Sequence, residues 1–297
     1  MSDLVVRPLE AGEGSLFDSL PDPMLVGYGA FGTTYATGDY RPEWTWVALR
    51  DGVVVARAVW WAGPEDTEPK ALDWFDFTDA DAAVHLLRTA PFRTEYSIPL
   101  PANWRDDPAV HAAATARLDA AKAAGMTFLV ERYTYSWTPD CGLPERSTRL
   151  EFRPEPDDDV IFDVFRRVNA TSVDAHVQRA IAEKGLDASA QEDLDLLRWM
   201  PSPREWWRLA YTSDGELVGL AAPCYHYSAH VVGYIAIVPE QRGHGYSYDL
   251  LAETTHKLAA EGAEKIVAGT DVANTRMAKT FARAGYPVAH RRIDLLP

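Results

Sequence analysis

The residues best able to do chemistry lie in one short segment, residues 235–247, which reads Ile-Ala-Ile-Val-Pro-Glu-Gln-Arg-Gly-His-Gly-Tyr-Ser. An apolar strand pattern runs into a turn that contains Gly243 and Gly245, and an amphipathic helical pattern follows directly. Such a turn directs several free backbone N–H groups and the positive end of a helix dipole at one point. That point binds a phosphate or diphosphate, and Arg242 can add its guanidinium to the same anion. The segment therefore predicts a site for a phosphorylated cofactor.

The composition narrows the class of partner. The chain has 297 residues and a formal net charge of −15, which argues against a nucleic-acid partner because such partners require a basic face. The charge is compatible with a cationic substrate, although a generic solubilising surface explains it more simply. No apolar run approaches the roughly 20 residues that cross a bilayer, and the first residues lack a secretory pattern. We expect a cytoplasmic protein without a membrane partner, with Cys141 and Cys224 as reduced thiols.

The remaining elements repeat one plan in two halves. Each half shows a short strand, helical segments, a hairpin and a further strand, with turn signals at Asp51-Gly52 and Asp214-Gly215. The shared order predicts an internal duplication of an α+β unit. Turn-forming residues concentrate at 138–144, so we place the boundary near Pro144, which gives domains 1–144 and 145–297.

The two halves differ at the cofactor turn. After Phe77 the first half continues with Thr-Asp-Ala-Asp-Ala-Ala, which contains neither a glycine turn nor an arginine. We therefore expect the first half to bind no cofactor.

Two segments of the second half resemble a known family. Residues 238–247 resemble the acyl-CoA loop of the GCN5-related N-acetyltransferase (GNAT) superfamily, written Arg/Gln-x-x-Gly-x-Gly/Ala, and Ser247 stands at the final position. Residues 274–286 resemble the second signature, an Asn followed by a helix that ends in Gly-Phe. The whole chain is similar to a tandem member with a degenerate N-terminal copy. The resemblance implies two domains, each with a central mixed, mostly antiparallel sheet flanked by helices.

The resemblance also implies acetyl-CoA as the acyl donor and assigns residues to it. The pantetheine arm would pair with the main chain of Ile237 and Val238 as an added strand, and Asn274 would hydrogen-bond it. Asn274 also fits a helix N-cap. The pyrophosphate of CoA would bind the backbone N–H groups of Arg242, Gly243, His244, Gly245, Tyr246 and Ser247.

The sequence indicates the catalytic acid and base less clearly than the cofactor-binding residues. Many family members place a tyrosine seven residues after the Asn as the acid, and this chain has Phe281 there. Tyr286 is a candidate acid, although core packing also explains it. Candidate bases are Glu240, beside the loop, and His230, which with His226 flanks a turn at Ser228.

Two other polar patterns have simpler explanations than a binding site. Cys224, His226 and His230 alternate along a strand, which spreads them too far apart to share a metal ion, so we expect no metal. Residues 171–176 and 191–195 contain acids that can bind a cationic amine, although a helix start and a solvated face explain them more simply.

Three functions follow from the resemblance. The first is an acetyl-CoA-dependent N-acyltransferase acting on a small amine, such as an antibiotic, a metabolite or an amino acid. The second is a tandem acetyltransferase of the mycothiol-synthase type, whose acceptor is a cysteinyl pseudodisaccharide. The third is a non-catalytic acyl-CoA sensor or interaction protein, which the absent tyrosine and the degenerate first half would suit. The oligomeric state stays open.

Overall fold

The computed structural model describes residues 3–35, 40–63, 65–226 and 229–297. Its strands are β1 (Leu4–Pro8), β2 (Thr45–Arg50), β3 (Val53–Trp61), β4 (Ala71–Phe77), β5 (Glu95–Pro101), β6 (Thr127–Trp137), β7 (Leu150–Pro154), β8 (Arg208–Thr212), β9 (Leu217–His226), β10 (Ala229–Ile237), β11 (Ile266–Asp271) and β12 (Val288–Leu296). Its helices are α1 (Gly14–Asp18), α2 (Ala80–Thr89), α3 (Pro108–Ala124), α4 (Asp158–Asn169), α5 (Ala175–Lys184), α6 (Leu186–Trp199), α7 (Tyr246–Ala260) and α8 (Thr275–Arg283). The chain forms two compact units, one of residues 1–131 with 290–297 and one of residues 132–289.

The second unit is built on a mixed sheet with the strand order β6-β11-β10-β9-β8-β7. Its neighbours are antiparallel except for β10 and β11, which are parallel and pair only at His230↔Ile266 and Val231↔Val267. Beyond Val231 the two strands separate. The register of β10 against β9 also shifts between Val231 and Tyr234, which marks a β-bulge. The sheet therefore opens beside an irregular stretch of strand.

The helices of this unit follow its hydrophobic pattern. α7 buries Leu250, Leu251 and Leu258, which are spaced so that they share one face. α4 and α6 bury Phe165 and Leu194 in the same way. The predicted α+β organisation is confirmed for this unit.

The first unit repeats the arrangement with the strand order β1-β2-β3-β4-β5-β12. Its parallel pair, β4 and β5, is likewise joined only at Ala71↔Glu95 and Leu72↔Tyr96. In the space beyond, the N–H of Gly27 donates to the carbonyl of Pro99 on β5 at 2.9 Å. The chain segment around Gly27 therefore bonds to the strand edge that the separation exposes.

The compact units differ from the boundary that the sequence predicts near Pro144. Residues 132–137 of β6 pair with β11, and residues 290–295 of β12 pair with β5. The turn-rich segment after β6 forms a 3₁₀ turn, Pro139–Cys141, inside the second unit. The turn-forming residues indicate this turn but not the division between the units. That division depends on main-chain pairing between strands that are distant in the sequence, which places residues 132–137 in one unit and 290–295 in the other.

The cysteines and the lengths of the helices bear on two further expectations from the sequence. Cys141 and Cys224 are free thiols, in agreement with the sequence. Over the described ranges, no helix combines the length and apolar character needed to span a membrane.

Candidate functional site

A cavity of about 940 Å³ opens in the second unit where β10 and β11 separate. Its walls are β10 from Val231 to Ile237, β11 from Val267 to Thr270, and the segment around Asn274 that leads into α8. The turn before α7 closes one end, since every residue of 241–247 except His244 lines the cavity. We call the wall formed by the start of α5 and by α6 the helical side; Asp174, Val177, Asp193 and Met200 line it.

The turn before α7 has the geometry that the sequence predicts. Gly243 and Gly245 have φ of +92° and +77°, in the left-handed region that glycine adopts at little cost. Gly245 is the N-cap of α7, and no side chain accepts a hydrogen bond from the first-turn N–H groups. Tyr246 and Ser247, the first helical residues, line the cavity. The N-terminal amides of α7 therefore lie at the cavity wall without a side-chain cap.

Arg242 braces this turn through main-chain oxygens. Its Nε donates to the carbonyl of Ile237 at 3.2 Å, and its Nη atoms donate to Thr171 at 3.3 Å and Val168 at 3.5 Å. The guanidinium thereby joins the turn to β10 and to the end of α4. This bracing role was not expected from the sequence, and contact of the guanidinium with an anion stays a prediction.

The two residues expected to pair with a pantetheine arm are placed differently. Val238 is fully buried, donates its N–H to Val218 at 2.9 Å and accepts the N–H of Gln241 at 3.0 Å. Its N–H is used within the sheet and the residue does not line the cavity, so pairing through Val238 does not fit the structure. Ile237 lines the cavity and directs its carbonyl towards Arg242, away from β9.

The other loop residues occupy the rim. The exposed His244 stacks on the ring of Tyr246, with 5.5 Å between centroids, and its carbonyl accepts a hydrogen bond from Arg149 at 3.1 Å. Ser247 Oγ lies 3.0 Å from Thr280 Oγ1, which links α7 to α8. The side chain of His244 does not face the cavity.

Asn274 stands at the start of α8 and at the cavity wall. Its Oδ1 accepts the N–H of Met277 at 3.2 Å, so it caps the helix. Its Nδ2 group carries two hydrogens that can donate to a ligand carbonyl. The geometry therefore allows both roles that the sequence suggested for this residue.

Tyr286 is a core residue and not a candidate acid. It is 3% exposed and does not line the cavity. Its hydroxyl lies 2.7 Å from Thr255 Oγ1, which itself donates to the carbonyl of Leu251, so Tyr286 donates to Thr255. Burial raises the pKa of the Tyr286 phenol. The prediction that Tyr286 supplies a proton does not agree with this placement.

Glu240 and His230 also lie outside the cavity lining. Glu240 is exposed and pairs with Arg167 at 3.0 Å; its own backbone N–H and that guanidinium lower the pKa of its carboxyl, which makes it a weak base. His230 sits in the parallel pair with its ring 5.1 Å from that of Tyr225. Its partner His226 does line the cavity, while Ser228 lies outside the described residues.

A polar network lies on the helical side; the sequence named its acidic segment, residues 191–195, but not the contact between Asp193 and Asn169. Asp193 lines the cavity and accepts a hydrogen bond from Asn169 Nδ2 at 2.7 Å. Asn169 Oδ1 in turn accepts the hydroxyl of Tyr234 at 3.4 Å. Burial raises the pKa of the Asp193 carboxyl to about 6. The spacing held a signal, because Asp193 lies three residues after Ala190 and four before Leu197, which are both buried.

A second group of charges lies on the same wall. Arg132 contacts the carboxylates of Asp174 at 3.1 Å and Asp271 at 3.0 Å. Asp174 also caps α5 by accepting the N–H groups of His176 and Val177, which is the helix start that the sequence indicated. Asp174 and Asp193 line the cavity and Arg132 pairs with Asp174, so the carboxylate of Asp193 makes this wall favour a cation.

Comparison with known proteins gives a family match and a fold match. The acetyltransferase (GNAT) family model matches residues 175–286. A GCN5-related N-acetyltransferase from Sphaerobacter thermophilus has 14% sequence identity and a TM-score of 0.57, with 98% of this chain and 94% of that chain covered. A tandem GNAT protein from the clavulanic acid biosynthesis pathway has 14% identity and a TM-score of 0.50, with 99% and 98% covered. At such identities the solved structures show a shared fold. No curated protein matches the sequence.

Proposed function

Because residues 175–286 match the acetyltransferase (GNAT) family model and the whole chain shares the fold of a tandem GNAT protein, we propose that it is a tandem member with a degenerate N-terminal copy. We propose further that it is an acetyl-CoA-dependent N-acetyltransferase that acylates the amine of a small molecule. The observation that carries the proposal is the uncapped N-terminus of α7, which meets the cavity between β10 and β11. A helix N-terminus with glycines before it is a site for phosphate groups.

The turn would hold the diphosphate of CoA. The N–H of Arg242 already donates to Pro239 at 3.3 Å, so the amides available to the anion are those of residues 243–247. In the first helical turn, Tyr248 donates its N–H to the carbonyl of Gly245 at 3.2 Å, whereas the N–H groups of Tyr246 and Ser247 have no acceptor within the helix, and a diphosphate would satisfy them. Arg242 would keep the turn in place through its three carbonyl contacts.

The pantetheine arm would follow the open edge of β10. Since Val238 donates to β9, strand alternation turns the main-chain groups of Ile237 and Ile235 towards the opposite edge. The carbonyl of Ile237 is bound by Arg242, so the N–H of Ile237 and the main-chain groups of Ile235 would bond an extended ligand as a neighbouring strand does. Asn274 would donate its Nδ2 hydrogens to the same arm from the other wall.

The thioester would lie near the bulge of β10. The register shift between Val231 and Tyr234 leaves main-chain groups of Val232 and Gly233 outside the regular ladder, and both residues line the cavity. A backbone N–H released in this way can stabilise the oxyanion that forms when an amine attacks a thioester. The cavity would hold the acyl donor and leave space for an acceptor beside it.

Phe281 favours one alternative, a non-catalytic acyl-CoA sensor. It is 2% exposed and stacks on Tyr135 with 4.2 Å between ring centroids, so this position donates no proton to a departing thiolate. The mycothiol-synthase type of acceptor is supported only by the tandem arrangement.

One experiment separates these functions. Calorimetry measures the binding of acetyl-CoA, and thiol release in the presence of a panel of small amines measures transfer. Binding with amine-dependent release is the expected result. Tight binding without release from any amine supports the sensor, and absence of binding contradicts the whole proposal.

A further inference from the structure

One carboxylate on the helical side has no cationic partner. Asp193 lines the cavity, and its hydrogen-bond partner is the neutral amide of Asn169. Within the described parts of the chain, no arginine, lysine or histidine forms an ion pair with it. The neighbouring Asp174 differs, because it pairs with Arg132. A partly buried carboxylate that faces a cavity without a counter-ion is suited to a cation brought by a ligand.

Asn169 holds this carboxylate in a fixed position. It is 1% exposed; its Nδ2 donates to Asp193 at 2.7 Å and to Ser189 Oγ at 3.2 Å, and its Oδ1 accepts the hydroxyl of Tyr234. Tyr234 follows the bulge of β10 directly. The network therefore links the carboxylate to the part of the strand where the thioester would lie.

We propose that Asp193 binds the acyl acceptor as an ammonium ion and takes its proton, so that the acceptor is a primary amine that is cationic at neutral pH. This inference rests on the proposed acetyltransferase function and assigns its substrate class and its base. Asn169 is then a positioning residue, since it acts on the amine only through Asp193.

The proposed step balances in protons and bonds. The ammonium gives one proton to the Asp193 carboxylate, and the neutral amine nitrogen forms a bond to the thioester carbon. The carbon–sulfur bond then breaks, and a second proton from nitrogen passes to the departing sulfur, giving the amide and CoA as a thiol. Asp193 later returns its proton to water.

The test compares Asp193→Asn with Asp195→Asn in acetyl-CoA-dependent thiol release. The amines are phenethylamine, tryptamine, spermidine and glucosamine, all cationic at neutral pH. Asp195 is the matched control, because it lies on the same helix, is exposed and pairs with Arg198 at 3.0 Å. We expect D193N to lower kcat/KM by about 100-fold or more, as loss of a general base does. D195N should stay within about twofold of the wild type, and both should bind acetyl-CoA with unchanged Kd.

The outcomes separate this inference from the function beneath it. If D193N turns over as fast as the wild type, or if D195N is equally impaired, the role of Asp193 is overturned and the acetyltransferase stands. If the wild type binds acetyl-CoA and acylates none of the four amines, both proposals fall. Should D193N lose acetyl-CoA affinity, Asp193→Glu, which keeps the carboxylate, must exceed D193N in turnover by at least about tenfold; equal rates contradict the assignment.

Discussion

The side chain of Asp79 accepts the N–H of Ala82 at 3.0 Å and so caps α2, the helix that follows β4 in the first unit. The corresponding helix of the second unit, α7, begins at Gly245 without a side-chain cap. The N-terminus of α2 therefore holds the carboxylate of Asp79, whereas the N-terminus of α7 has free amides. A carboxylate in this position satisfies the N-terminal N–H groups and repels a phosphate.

Placing a carboxylate at the N-cap of α7 should abolish CoA binding. In Gly245→Asp the charge of the new carboxylate would stand at the N-terminus of α7 and repel the diphosphate. We expect the affinity for acetyl-CoA in calorimetry to fall by at least about 100-fold, or roughly 3 kcal/mol. Gly215→Asp is the matched control, because Gly215 has a similar φ of +85° with open space around its Cβ position and lies far along the chain from the turn. Equal affinity in G245D and the wild type would refute the cofactor site.

Acetyl-CoA should bind with a stoichiometry of one per chain. Asp79 caps α2, the helix that joins the separated parallel strands β4 and β5, and Arg50 pairs with the same carboxylate. The bond from Gly27 to Pro99 also takes up the strand edge exposed there. Calorimetric titration of the full chain measures the number of sites directly. Two equivalents per chain would show that the first unit retains a site.

The sequence predicted the turn before α7 far better than the polar network on the helical side. Gly243 and Gly245 were found because a tight turn before a helix needs left-handed backbone, which restricts residue type at fixed positions. The sequence named residues 191–195 as possible ligands of a cationic amine but favoured a solvated face. It missed the contact between Asp193 and Asn169, because these residues lie 24 positions apart on different helices and meet only through packing. The sequence also did not predict that residues 132–137 pair with β11 and residues 290–295 with β5, because the pairing partners of strands are set by long-range contacts.

Arg242 should act through geometry more than through charge. Its guanidinium reaches the carbonyls of Ile237, Thr171 and Val168 at once, which a lysine ammonium cannot do with the same fork. We therefore expect Arg242→Lys and Arg242→Gln to weaken acetyl-CoA binding similarly, by about tenfold, or roughly 1.4 kcal/mol. Calorimetry at two salt concentrations is the measurement. Near wild-type affinity in R242K together with a large loss in R242Q would instead indicate direct contact with the diphosphate.

Removing the hydroxyl of Tyr286 should cost stability and leave catalysis intact. Tyr286→Phe deletes the buried hydrogen bond to Thr255, while Thr255 keeps its own bond to Leu251. We expect the free energy of unfolding to fall by about 1 kcal/mol. The rate of thiol release at saturating acetyl-CoA should stay within about twofold of the wild type. A loss of turnover with unchanged stability would restore Tyr286 as the acid.

The environment of Asp193 sets a pH dependence. The pKa of this carboxyl is raised to about 6, because burial raises it, the hydrogen bond from Asn169 partly opposes this, and the carboxylates of Asp174 and Glu192 add to the increase. Tyr234 adds no charge, because burial raises the pKa of its phenol well above the usual value. If Asp193 is the base, its carboxylate form is the active one, so kcat/KM should rise with pH through a midpoint near 6.

The same shift predicts how stability varies with pH. The folded protein holds the Asp193 proton more tightly than the unfolded chain, whose pKa is near the ordinary 3.8, so this residue favours the folded state at low pH. Its contribution should fall as pH rises from about 4 to about 6 and stay constant above that. Asp73, whose pKa burial raises to about 7, shifts in the same direction, so the wild type alone does not isolate Asp193. D193N keeps Asp73 and therefore serves as the reference. In urea unfolding, the difference in the free energy of unfolding between wild type and D193N should decline from about pH 4 to about pH 6. The rise of kcat/KM with pH near 6 should be absent in D193N. Parallel stability curves would show that Asp193 titrates at its ordinary pKa.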